Sequence, residues 1–317
     1  MALPVVPPAG RSPGADHVHA SHGLVRRWVQ SEWGAAYILL LPMFVLFACS
    51  VLYPLWQTLW ISLHDVRGLA PPKWIGLRNY VTLVADPSFR QALVTTLIWT
   101  LGTTTLSVGL GWGLAILCAL SPRATLPFRV MIFSAYGVAE AVSGFIWLGI
   151  YRPDDGGLLN ALLNGLGLHQ LGGAWLGNVD SALLCLIVAY AWTQAGLPLM
   201  TCFASIQTIP KSIFEAAYID GARPMSLMRH IVLPLSLPGL KVAIFINLLG
   251  SLRAFDMIFV LTGGGPVRST ETIGYFMFRE SMLQFKLGYG AAATVLLLLL
   301  VIAISIPAIA KRTRAVR

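Results

Sequence analysis

The chain has 317 residues, 56% of them hydrophobic and only 11% charged, with a net charge of +9. An average soluble domain is roughly 25% charged, and a soluble chain this apolar would lack the polar surface to stay dissolved. The composition therefore excludes a soluble enzyme and points to a polytopic membrane protein. The excess of Lys and Arg then reads as loop charge and not as a nucleic-acid surface.

Residues 1–33 are rich in Pro, Gly and His without an apolar core. They read as a flexible cytoplasmic tail and not as a signal peptide. His17, His19 and His22 in it read as solvated side chains, not as a metal site. A six-span domain is expected over 34–310, since apolar runs of about 20 residues suffice to cross a bilayer. The predicted spans are 35–62, 92–120, 127–150, 181–208, 240–262 and 287–310. A polar loop with a short amphipathic piece joins the first two, and a Gly-rich loop with a Leu-rich helix joins the third and fourth. Cys49, Cys118, Cys185 and Cys202 all fall in apolar runs without a CxxC pair, so they read as small buried hydrophobes.

With the N-terminus placed inside, 13 Lys and Arg fall on the cytoplasmic side and 8 outside. The basic tail 311–317, "KRTRAVR" from Lys311 on, abuts the last span, where this bias counts most. Both termini and the loop 209–239 are thereby expected in the cytoplasm.

That loop is the most polar helix-forming stretch in the chain. Ser212 and Glu215 have capping-box spacing after Pro210, and Ile213, Phe214, Ala217 and Tyr218 give the helix an apolar side. Gly221 supplies a left-handed stop, and Pro224 suits the first turn of a second helix expected to end before Pro234. Two short helices with a sharp bend make a rigid knob for a cytoplasmic partner.

"EAAYIDGA…HIVLPLSLPGL" resembles the EAA loop of permease subunits of ATP-binding-cassette importers. Glu215, Ala216, Ala217, Gly221, Ile231, Leu233 and Pro234 fall on the pattern, with Asp220 beside them. Residues 74–100, 146–163 and 253–273 look like the carbohydrate-uptake branch, and the last like its larger, maltose-permease-like subunit. The extra N-terminal spans and large periplasmic insertion of that subunit are missing from the pattern. The resemblance implies an all-α, six-span type I importer permease. It implies a second permease, two ATPase subunits holding ATP and Mg, and an extracytoplasmic solute-binding protein as partners. The setting would be a bacterial or archaeal cytoplasmic membrane, and residues 209–239 would form the coupling helix. No nucleic acid is expected. No cofactor is expected on this chain, which has no phosphate loop, catalytic cluster or metal-ligand set of its own.

Charges inside spans cost roughly 2.5–3.5 kcal/mol each and need a reason. Glu140, Arg253 and Asp256 qualify. Glu140 is placed to line the passage or to hydrogen-bond a neighbouring helix, and the other two, three apart, to pair on one helix face or to line a hydrated passage. Tyr190, Trp192, Gln194, Asn247 and Ser251 offer the aromatic and amide groups that suit a sugar. Thr262, Gly263, Gly264, Gly265 and Pro266 must end the fifth span and are a candidate outer gate or docking edge. The expected function is import of a sugar by alternating access. Import of glycerol-3-phosphate or a polyol phosphate is the alternative, and an ion-coupled secondary transporter is the reading from another class.

Overall fold

A computed structural model of the protein describes residues 32–120 and 123–314. His17, His19 and His22, most of the N-terminal tail and the end of the basic C-terminal tail lie outside the described residues. The chain divides into two compact units, residues 1–58 and 59–317.

In the first unit, α1 (Glu32–Phe47) passes through a π-helical turn (Ala48–Leu52) into α2 (Tyr53–Ser62), whose residues from Leu59 on belong to the second unit. Pro54 stands two residues after that turn, and Pro cannot donate to the helical ladder. The π turn widens the ladder instead, Tyr53 N–H donating to the Ala48 carbonyl five residues back, and the helix continues through the proline.

After α2 comes a short antiparallel ladder, β1 (His64–Asp65) and β2 (Lys73–Trp74), pairing His64 with Trp74. Next come α3 (Arg78–Ala85) and α4 (Pro87–Leu120), a helix of 34 residues and about 51 Å at 1.5 Å per residue. It starts earlier than the predicted residue 92 because Asp86 caps it, its Oδ1 accepting from Ser88 N–H at 2.8 Å with Pro87 at the first position.

Three apolar clusters lie along α4. Phe89 and Ala92 pack with Leu83 and Phe276, Trp99 with Tyr190 and Met257, and Ala115 and Cys118 with Leu199 and Phe203. Between them α4 buries Thr and Ser hydroxyls, several turned back on its own carbonyls; Thr96 Oγ1 also accepts Ile273 N–H at 2.9 Å. Of the cysteines, Cys118, Cys185 and Cys202 are buried and Cys49 is exposed, all four free.

The third and fourth spans are bent pairs: α5 (Leu126–Tyr136) with α6 (Glu140–Ile150) at 102°, and α8 (Val179–Gln194) with α9 (Gly196–Gln207) at 48°. Between the pairs lies α7 (Leu158–Gly165), the Leu-rich helix of the Gly-rich loop. Next come α10 (Lys211–Ile219), α11 (Pro224–Leu227), α12 (Leu233–Leu252), α13 (Asp256–Leu261), α14 (Ile273–Phe278) and α15 (Leu287–Arg314). Among the described residues, four helices are long and apolar enough to cross a membrane, or six spans if each bent pair is counted as one.

Two expectations change here. The second helix of the 209–239 loop does not stop before Pro234. A π turn (Met228–Val232) joins α11 to α12, with Leu233 N–H on the Met228 carbonyl, so one apolar helix runs from Pro224 to Leu252. Nor does this span continue to 262, for it breaks at Arg253–Phe255.

Helices α4, α9 and α12 pack on one another closely enough to require glycine. A Cβ on Gly111 would lie 2.5 Å from Pro198 Cβ and 2.7 Å from the Leu199 nitrogen; one on Gly239 would lie 2.5 Å from the Thr201 carbonyl oxygen. Small residues at such crossings let backbones approach without a hydrophobic force between helices. Gly113, one turn-half away on α4, faces open space. Gly111→Ala is therefore expected to lower stability by roughly 1–3 kcal/mol through overpacking, while Gly113→Ala is neutral or slightly stabilising. Thermal unfolding in detergent compares them; equal effects would mean the crossing is not close-packed.

Candidate functional site: two broken helices and a two-helix knob

Two interruptions come together inside the bundle. The break at 137–139 precedes α6 and the break at 253–255 precedes α13, and each following half-helix opens on a carboxylate, Glu140 and Asp256. The positive end of a helix favours such an acid. Helices α6 and α13 pack on each other, so closely that a Cβ on Gly144 would meet Val260 Cγ1 at 2.9 Å. Arg253, in the second break, and Asp256 lie within electrostatic reach of Glu140.

From α8, Tyr190 and Gln194 face the same place one turn apart. Gln194 Nε2 approaches Glu140 Oε1 at 3.4 Å, and the Tyr190 hydroxyl lies beside Glu140 and Gly250. Tyr190 is 1% exposed and its ring is 4.9 Å from that of Trp99, whose indole N–H donates to the Ser251 carbonyl at 3.0 Å. Glu140 and Gln194 are half-buried, while Arg253 and Asp256 are exposed. The chain thus presents a charged patch at the breaks of two apolar spans, a costly place for charge unless water, substrate or another polar chain meets it.

Not every residue singled out from sequence belongs to this patch. Arg253 and Asp256 do not share a helix face, because the helix ends between them, and no ion pair joins them among the described residues. Asn247, 4% exposed, and Ser251 are buried, their side chains donating to the Ala243 and Leu248 carbonyls. Trp192 is 44% exposed and meets the edge of Trp147 at 6.0 Å, apart from Tyr190 and Gln194.

Thr262–Pro266 follow α13 directly. Gly263 and Gly264 take φ of +55° and +79°, which favours glycine, and a Cβ on Gly264 would lie 2.8 Å from the Tyr275 ring. Thr262 and Thr270 hydroxyls close the turn at 2.8 Å. Sequence reasoning passed over what anchors it: Glu271, 1% exposed, pairs with Arg279 at 2.7 Å. Burial pushes its carboxyl above the ordinary range, against the opposing pull of Arg279. The polar residues there read as loop charge, and only folding shows them buried.

At the other end of α4 lies the knob. Ile213, Phe214, Leu227 and Met228 pack on the cluster around Cys202, and Ala217 is buried. Helix α10 begins at Lys211 with Pro210 as its cap, so the expected Ser212 box does not form. Tyr218, expected on the packed side, is exposed. Gly221 is left-handed at φ +72° and ends the helix as expected. Glu215, Ala216 and Asp220 are exposed, together with the large apolar side chains of Tyr218, Met225 and Ile219, the last 87% exposed. Ile231 and Leu233 are half-buried in the π turn and the start of α12, and Pro234 is exposed.

Similarity to known proteins follows the same outline. The chain is 31% identical over 271 residues to the trehalose/maltose transport system permease protein MalF of Thermococcus litoralis, covering 85% of this chain and 90% of that one. It is 32% identical over 274 residues to the sn-glycerol-3-phosphate transport system permease protein UgpA of Agrobacterium fabrum, covering 85% and 91%. Its fold matches a chain of a bacterial ABC transporter involved in the import of the acidic polysaccharide alginate, with a TM-score of 0.74 at 22% identity over 92% of this chain and 100% of that chain. Residues 77–315 match the model of a family described as the binding-protein-dependent transport system inner membrane component, and to that family the chain belongs.

Proposed function

We propose that this chain is one of two permease subunits of an ATP-driven importer and that the patch at the two helix breaks lines its passage for a sugar. The observation that carries the reading is the grouping of Glu140, Arg253 and Asp256, partly or fully exposed, where two apolar spans are interrupted. A hydrated passage between this chain and a second permease meets those charges with water and substrate hydroxyls. Tyr190 and Gln194 add a hydroxyl and an amide on the same side. Arg253 also favours a second substrate class, a phosphate ester, since its guanidinium has no carboxylate partner among the described residues. Membership of the family sets aside the ion-coupled single-chain reading.

In the proposed assembly the knob at 211–227 faces the cytoplasm and docks on an ATPase subunit, which holds the ATP and Mg. The bias of 13 basic residues against 8 supports that orientation. A solute-binding protein delivers substrate at the opposite face, where Thr262–Pro266 form an edge of the opening. The exposed Tyr218, Ile219 and Met225 are the apolar contacts the knob offers its ATPase.

Two outcomes test this. A Cβ on Gly221 meets nothing within 4 Å, so Gly221→Val acts through the left-handed backbone alone, at roughly 1 kcal/mol or more. The variant is expected to insert normally but to lose substrate-stimulated ATP hydrolysis and uptake in the reconstituted transporter; normal stimulation would make the knob a passive loop. Arg253→Ala and Asp256→Ala are each expected to impair uptake about tenfold or more while assembly persists, and the double replacement is not expected to recover. Recovery in the double variant would mean the two charges serve only each other.

A further inference from the structure

A second polar cavity lies at the Pro87 end of α4, far along that helix from the knob. It holds about 580 Å³ and is walled by the β1–β2 connection, α3, the start of α15 and the loop before α14. Val66 and Ile75 are the only aliphatic side chains in its lining.

Its charges do not balance. Five cations line it, Arg67, Arg78, Arg268, Arg279 and Lys286, against the carboxylates Asp65, Asp86 and Glu280. Glu271, outside the lining, takes up Arg279 at 2.7 Å and Arg268 at 3.8 Å, which still leaves one cation in excess. Each carboxylate is already engaged. Asp65 holds Arg67 at 2.9 Å; Glu280 holds Arg279 at 3.0 Å and Lys286 at 3.1 Å. Asp86 accepts from Tyr289 Oη at 2.7 Å and from Ser88 N–H at 2.8 Å. Those bonds, with the charge of Arg279, hold the Asp86 carboxyl below its ordinary range against the opposing effect of burial.

Donors remain unspent. The Arg78 guanidinium has neither an ion pair nor a hydrogen bond among the described residues. Arg67 uses only its Nε, and Arg279 Nη2 is buried without a partner. Guanidinium forks of this kind match the oxygens of a phosphate group. Asn79 gives both amide bonds to the Ser62 and His64 carbonyls, which leaves its Oδ1 to accept from a hydroxyl; the exposed Gln284 lines the same cavity.

The height of the cavity bears on what reaches it. Ser88 and Tyr289 are the second and third residues of two membrane-spanning helices, so the floor of the cavity sits where headgroups meet water. His64 stacks on Trp60 at 3.8 Å and meets the exposed Trp74 at 5.0 Å, the kind of aromatic pair found at that level.

We propose that this cavity is a binding site for a hydroxyl-bearing phosphate group, separate from the passage at the helix breaks. The group comes either from an anionic phospholipid headgroup or from a free phosphate ester. Arg67 and Arg78 grip its oxygens at the rim.

The test uses the full chain in phosphatidylcholine nanodiscs, with thermal unfolding as readout, so it is independent of transport. Phosphatidylglycerol is added to the discs in one arm and inorganic phosphate to the buffer in the other. The unaltered chain is expected to melt higher in at least one arm. A response to phosphatidylglycerol alone assigns the site to a headgroup, and a response to phosphate to a free ligand. Arg67→Gln/Arg78→Gln alters exposed side chains whose loss spares the buried network, and roughly tenfold more ligand should be needed for the same rise. Arg78→Lys, which keeps the charge, should recover part of the response even if the double variant folds poorly. No stabilisation of the unaltered chain in either arm overturns the proposal, as does an equal response in the double variant.

Discussion

Inside a bilayer, a backbone N–H or C=O without a partner costs several kcal/mol, and this constraint decides where the chain can interrupt a helix. At Pro54 and Pro234 it does not interrupt at all: a π turn ahead of each proline keeps the ladder closed. At 137–139 and 253–255 it does, and both breaks are covered from within. Gly137 and Val138 N–H groups turn back to the Ser134 and Ala135 carbonyls, and the Arg253 and Ala254 N–H groups to those of Gly250 and Ser251. Trp99 supplies a further donor from α4 to the Ser251 carbonyl. With the backbone secured, the fold can hold Glu140, Arg253 and Asp256 at the breaks of two apolar spans, where a charge is costly.

The same accounting links the patch to the knob. Because the π turn carries the helix through Pro234, Pro224–Leu252 is one element of 29 residues, about 43 Å long. One end emerges at the bend behind Gly221, and the other stops against Arg253. It is held along its length by close packing on α9 at Gly239. On the proposed reading, a displacement of the knob by an ATPase reaches the helix break without passing through a flexible joint. Two short helices separated from the span by a turn at Pro234 would have damped it.

Much of this was legible in the residues. Apolar runs located the spans, and Glu215 through Pro234 located the knob, because the spacing of small residues, glycine and proline there has few other uses. Gly221 was readable as left-handed from its place after an apolar helix. What failed did so for local reasons. Pro234 reads as a stop because the rule assumes an α ladder, and a π turn suspends it. Asp86-Pro87-Ser88 is a start signal for α4 that apolar counting alone overlooked. Arg253 and Asp256 looked like a helical pair because nothing in "SLRAFDM" announces a break; it becomes visible only with α6 packed on α13. Asn247 and Trp192 qualify as path residues by residue type alone, whereas packing buries the first and turns the second toward Trp147. The network of Glu271, Arg279 and Glu280 joins residues from separate turns, and composition assigns those to solvent.

The central claim is that the two helix breaks meet water and substrate. It is tested most directly by replacing Cys49, Cys118, Cys185 and Cys202, introducing Asp256→Cys, and exposing the assembled transporter to a hydrophilic, membrane-impermeant thiol reagent. The account predicts that position 256 reacts in at least one nucleotide state and that the transported substrate slows the reaction. A position 256 that stays unreactive in every state, while a cysteine at exposed Val267 in the same protein reacts normally, would contradict it.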